Sequence, residues 1–216
     1  MYSIRKEFIK FITYSDYCVE KLLDKDVYKI MQNDQKKLFI FSSGFINSLW
    51  QAWNRFWRTY WLANIFGGVD IHRNWISPQE KFISENDSVL MLSYLLKNRK
   101  IPKSFQQYKY ITEPTWGSEK VLFHLSNIYN LPGSKIINVL GVYSKTIKHF
   151  QIVRNVSIHL SGSSINELIN IVSPYYIISK INYPTDILFS KRMPGKKIAI
   201  VNWKEELVAF IKLVTT

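Results

Sequence analysis

Apolar residues recur at helical spacing along most of the chain. Ile4, Phe8, Phe11, Ile12, Val19, Leu22 and Leu23, with Ser15 on the same face, predict an amphipathic helix over residues 2–23. A second, longer helix is predicted over 27–66, stopped by Gly67 and Gly68. Within it Trp50, Trp53, Trp57 and Trp61 are three, four and four residues apart. They share a face, widened by Leu49, Phe56 and Tyr60, and a stripe this long predicts the central core helix of a bundle. A base-stacking platform is the sharper alternative reading of the same aromatics.

Further along, residues 70–78 look irregular. Ser77, Pro78 and Glu80 form a helix-start pattern, and 87–97 predicts another helix. Residues 98–114 are basic, carry two prolines and read as a loop. Short helices are predicted over 118–129 and 134–140, separated by "NLPGS". A helix over 144–160 would bury Ile147, Phe150, Val153 or Arg154, and Ile158, with Gly162 as its stop. Ser164 and Glu167 are spaced as a capping box for a helix reaching about 172.

The last forty residues change character. "YYIISKINY", "DILFS" and "KKIAIVNW" are strand-like, "KRMPGKK" is a turn, and "NWKEELVAFIKLV" closes with a helix. The expected fold is mainly α. A helical bundle over 1–176 carries a C-terminal extension, 177–216, of short strands and a final helix packed on the same domain.

Charge then narrows the function. The formal net charge is +13, with 29 Lys and Arg against 16 Asp and Glu. A compositional bias toward Lys should also supply Glu, so the acidic deficit points to a polyanionic partner, nucleic acid first. The single cysteine, Cys18, excludes an intrachain disulfide or a cysteine-built zinc site and fits a reducing, cytoplasmic setting. The N-terminal "MYSIRKEFIKFITYSDY" mixes charges into every turn, unlike a signal peptide. No apolar run approaches the ~18 residues of a membrane span.

One stretch stands out chemically. "IVRNVSIHLSGSS" sets Arg154, Asn155 and His159 on a late helix just before a Ser-Gly break. Asn155 and His159 share a face, whereas Arg154 and His159 lie about 140° apart on a regular helix. A histidine in a last helical turn beside a fixed guanidinium suits general acid–base work on a phosphodiester. Arg154 and His159 reach one phosphate only if the helix loosens or a second chain supplies half of the site.

"VRNVSIH" on a late helix of a basic bundle resembles the motif of the HEPN superfamily. That pattern is Arg, a polar residue, a few further residues and His. "LWQAWNRFWRTYW" loosely resembles the aromatic second helix of some members. The resemblance implies a homodimer with a composite cleft and a metal-independent endoribonuclease needing no cofactor. It further implies a toxin or defence setting, with an antitoxin or defence-system partner. His159 would serve the 2′-hydroxyl or the leaving oxygen, Arg154 the phosphorane, and Asn155 would orient His159 or hydrogen-bond a phosphate oxygen. The alternative is a non-catalytic nucleic-acid-binding or regulatory module on the same bundle.

Arg58, Lys97, Arg99, Lys100, Lys103 and His149 are the further candidates for contacting RNA. Arg58 reads first as a solvated helix edge and otherwise as reaching the cleft of Arg154, and His149 reads first as a partly exposed surface histidine and otherwise as lining that cleft. His124 reads as a core or interface residue. Glu113 reads as a partner for an arginine or as a helix cap. Asp70 and His72 lack a third metal ligand, so no metal site is expected.

Overall fold

The computed structural model describes residues 2–24, 33–69, 74–77, 84–97, 112–128 and 135–215. Helix α1 spans Tyr2–Leu23, and α2 spans Gln35–Phe66. Gly67 ends α2 with φ 78°, a left-handed conformation that costs a glycine little. All four stripe tryptophans of α2 are buried, so the core reading of that face holds. Two-residue strands β1, Gly68–Val69, and β2, Trp75–Ile76, pair antiparallel, and β2 lies inside the segment expected to be irregular.

Helix α3, Glu85–Leu96, is capped by Ser84, whose side chain accepts from the Asp87 amide. The expected helix start at Ser77 and Pro78 runs into residues outside those described. Helix α4 spans Glu119–Ile128. Helix α5, Ile136–Ile158, replaces the two helices expected over 134–140 and 144–160. Gly141 does not break it, because Ile136, Val139, Leu140, Ile147 and Phe150 continue one buried stripe through the glycine. Ile158 is not part of that stripe and is exposed.

The next helix, α6, spans Gly162–Glu167. Gly162 therefore starts a helix rather than stopping one. The capping box is Ser161 with Ser164, one turn earlier than expected. Leu168–Val172 continues as a π turn, and Ser173–Tyr175 as a 3-10 turn holding Pro174.

Of the strand-like C-terminal runs, the first supplies Tyr176–Ile177, β3, which pairs antiparallel with Lys191–Arg192, β4, in the segment expected to be a turn, and Ile198 adds a single bridge to Lys191. "DILFS" lies largely in the 3-10 helix Pro184–Phe189, and "KKIAIVNW" enters helix α7, Ala199–Val214. Burial decided both. Ile187, Leu188, Ala199, Ile200 and Trp203 all reach the core from helical turns. The turn between β4 and α7 contains a cis Met193–Pro194 peptide. The fold is mainly α, as expected.

The chain forms two compact units. One comprises Met1–Phe8, Trp53–Val142 and Ile211–Thr216. Its core holds the tilted and edge-on rings of Phe8, Trp53, Phe56, Trp57, Tyr60 and Trp61. The other comprises Ile9–Ala52 and Tyr143–Phe210, with Phe150 between Trp50 and Trp203. The expected boundary at 176 does not divide this second unit. β3 pairs with β4 across it, and the Tyr176 hydroxyl receives a 2.8 Å hydrogen bond from Trp203 Nε1. Among the described residues no helix is long and apolar enough to cross a membrane.

Candidate active site

Val153 and Val156 are fully buried and Ile152 nearly so, which fixes the last two turns of α5. Arg154 and Asn155 are left half-buried beside them. Arg154 Nε donates to Asn47 Oδ1 at 3.1 Å, and Nη1 donates to Asn155 Oδ1 at 3.1 Å. Both acceptors are neutral amides, and no carboxylate among the described residues pairs with this guanidinium. Burial pushes its pKa down, though an arginine stays charged. The two anchors fix the plane of the fork, and Nη2 has no protein partner among the described residues.

His159 follows the helix end. Its amide donates to the Asn155 carbonyl at 2.7 Å, keeping the helical register through residue 159. Its carbonyl accepts from the Ser164 hydroxyl at 3.0 Å. Ser164 in turn belongs to the Ser161 capping box, with Ser164 N to Ser161 Oγ at 3.2 Å and Ser161 N to Ser164 Oγ at 3.1 Å. The Ser-Gly-Ser-Ser break therefore pins the backbone of His159 on both sides, while its side chain stays exposed. The helix does not loosen before His159, so one chain alone keeps Arg154 and His159 on different faces, about 140° apart.

The other candidates fall elsewhere. Arg58 donates from Nη1 to Glu85 at 2.6 Å, and from Nε and Nη2 to Glu113 at 3.1 and 3.3 Å. Two carboxylates neutralise it, so it is a structural ion-pair centre rather than a free phosphate contact. Glu113 is the arginine partner that its surroundings suggested, and it also accepts from Trp116 Nε1 at 2.9 Å. Burial alone would raise the Glu113 carboxyl; the hydrogen bonds from Arg58 and Trp116 outweigh that and hold it below the usual range.

His149 is buried, only 1% exposed, which corrects the surface-histidine reading. Its Nδ1 lies 3.1 Å from the Tyr176 hydroxyl. Burial, followed by the charges of Arg192, Lys145 and Lys148, lowers it to about 4. A neutral, internally bonded ring of this kind has no surface to offer RNA. Lys97 is exposed at the C-cap of α3, where its charge suits the helix dipole. Arg99, Lys100 and Lys103, with Asp70 and His72, lie outside the described residues. His124 is half-buried on α4. Among the described residues no three His, Cys, Asp or Glu side chains gather as a metal-ligating group.

Asn47 is the site residue that the sequence did not disclose. It lies 107 residues from Arg154, on the flank of the α2 apolar stripe. A polar residue beside Ile46 and Leu49 is the only local sign, and many solvated asparagines share it. No family model, no curated protein and no solved structure matches the chain.

Proposed function

We propose that the chain is a metal-independent endoribonuclease of the HEPN type, acting as a homodimer with a composite cleft. The observation that carries this reading is the state of Arg154. Arg58 and Arg192 are each neutralised by glutamates, whereas Arg154 is held by two amide oxygens alone. A fixed, half-buried cation without a carboxylate is suited to a phosphate.

In the proposed reaction the ribose 2′-hydroxyl attacks the adjacent phosphorus and the 5′-oxygen leaves. His159 takes the 2′-hydroxyl proton or gives one to the leaving oxygen. Arg154 stabilises charge on the phosphorane, and Asn155, already bonded to Arg154, fixes the guanidinium plane. The products carry a 2′,3′-cyclic phosphate and a 5′-hydroxyl. DNA has no 2′-hydroxyl and is not cut.

The divergence of Arg154 and His159 within one chain supports a two-fold dimer, in which Arg154 of one copy holds the phosphate at which His159 of the other transfers the proton. Ile158, Leu160, Ile165 and Ile169 are all at least 39% exposed around the motif, an apolar border suited to a second copy. A toxin or defence role, a cytoplasmic setting and a restraining partner belong to the same proposal.

The test is cleavage of mixed RNA in EDTA, with analysis of the ends. Arg154→Ala and His159→Ala should each abolish cutting. Mixing the two variants should restore about a quarter of wild-type activity, since half of the re-paired dimers are mixed and each holds one whole site. Loss of all cutting in EDTA, or a 3′-hydroxyl product, sinks the mechanism. A cutting enzyme that stays monomeric at micromolar concentration sinks the composite site.

A second reading is a non-catalytic binding module. It is favoured by the His159 ring, which has no hydrogen-bond partner among the described residues to orient it. On that reading wild-type protein binds RNA without cutting, and His159→Ala changes nothing.

A further inference from the structure

A second cationic cleft of about 620 Å³ opens in the unit that holds Arg154, between α5, the turn after β4 and the start of α7. Its chief lining residues are Lys145, Tyr175, Met193, Pro194, Lys196 and Asn202. Lys145 precedes Arg154 by nine residues on one continuous helix, about 180° around it, so the cleft lies on the other side of α5. It belongs to a different site and does not rest on the ribonuclease reading.

The charges of the cleft are unequal. Arg192 is held by Glu206 at 2.8 Å, and Lys197 by Glu205 at 2.6 Å. Those pairs use both carboxylates of the wall. Lys196 has no carboxylate partner among the described residues. Neither has Lys145, whose ammonium rests over the Tyr175 ring, 4.2 Å from its centroid. A lysine parked on an aromatic face keeps its charge and gives up little to turn toward an anion. Behind the wall, the buried ring of His149 lies 5.1 Å from the Tyr175 ring, centroid to centroid.

Asn202 is turned to Glu206, to which its Nδ2 donates at 2.9 Å, and Tyr175, Met193 and Pro194 give the wall an apolar side. Tyr175 is 38% and Met193 48% exposed, with Pro194 beside them. A mixed wall of this size takes small molecules that join a flat apolar group to a fixed charge.

We propose that this cleft binds a nucleoside phosphate, with Lys145 and Lys196 on the phosphate and Tyr175, Met193 and Pro194 against the base. The phosphate comes either from a free nucleotide or from the 5′ end of an RNA. Calorimetric titration of the full chain tests this, performed in an Arg154→Ala background so that the α5 motif contributes no binding. The probes are the four nucleoside 5′-monophosphates, inorganic phosphate, and a 5′-phosphorylated, 2′-O-methylated trinucleotide.

At least one monophosphate should bind saturably, at least tenfold more tightly than inorganic phosphate. Adding Lys145→Gln and Lys196→Gln together should weaken it tenfold or more. Met193→Asp, which sets a carboxylate in the wall, should do the same in a chain whose melting curve is unchanged. A tenfold preference for the trinucleotide assigns the cleft to an RNA end, and a preference for the monophosphate assigns it to a free nucleotide. The proposal is overturned if no monophosphate saturates at millimolar concentration, if inorganic phosphate binds equally well, or if the lysine variants bind like the parent.

Discussion

Gly117→Ala is expected to be among the most damaging one-carbon changes in the protein. A β-carbon built on Gly117 would sit 2.3 Å from Trp53 Cδ1 and 2.4 Å from Nε1, far inside van der Waals contact. Trp53 cannot easily retreat. It is fully buried, with its ring 5.4 Å from Trp57 and 6.0 Å from Phe8. Its Nε1 also donates to the Gly117 carbonyl at 2.8 Å, while the Gly117 amide donates to Asn54 Oδ1 at 2.9 Å.

The new methyl group therefore overpacks a full core, at about 1–3 kcal/mol, and displaces a buried hydrogen bond, at a further ~1–3 kcal/mol. A total of roughly 2–6 kcal/mol is a large share of the ~5–15 kcal/mol that stabilises a folded domain. At about 2–4 °C per kcal/mol for a chain of this length, the melting temperature should fall by roughly 4–24 °C. The assay is thermal unfolding followed by circular dichroism and tryptophan fluorescence. Gly141→Ala is the control with the opposite sign. Nothing lies within 4 Å of a β-carbon placed there, and Gly141 sits mid-helix in α5, so alanine should add about 0.5–1 kcal/mol. A Gly117→Ala protein that melts within a degree or two of wild type refutes the packing argument.

Three further outcomes are expected. The folded pKa of His149, about 4, lies below its ordinary 6.5, so between those values the unfolded chain binds more protons and stability should fall as pH drops from 6.5 to 4. The loss is at most roughly 3 kcal/mol, and urea midpoints at several pH values should show a flatter slope in His149→Gln. Glu113 is held below its ordinary value, so its contribution is present above that value and lost as pH falls through the folded one. Its side chain is 47% exposed, so Glu113→Gln should cost about 1 kcal/mol or less at neutral pH, and a larger shift in urea midpoint would count against the solvent-screened pairing. RNA affinity should fall steeply with salt because a net charge of +13 binds by releasing counterions, and Arg154→Ala should lower the slope of log affinity against log salt by about 1. A salt-independent affinity would rule out a phosphate-dominated interface.

The sequence by itself determined what depends on neighbours a few residues away. Helical spacing marked α1 over 2–23, the glycine pair ended α2 after Phe66, and the tryptophan spacing gave the buried face. The Arg154, Asn155 and His159 grouping was equally legible, because all three sit within six residues. Tertiary packing decided the rest. Gly141 stays helical because residues on both sides bury one stripe, and the strand-like runs 186–190 and 196–203 are largely helical because that is how their apolar side chains reach a core. Arg58 is neutralised by carboxylates 27 and 55 residues away, while Arg154 meets an amide 107 residues away. Local pattern carries no information about such partners. Which cation keeps its charge available is settled only when distant helices pack, because a long-range contact is selected by the burial of whole faces rather than by the residues beside it.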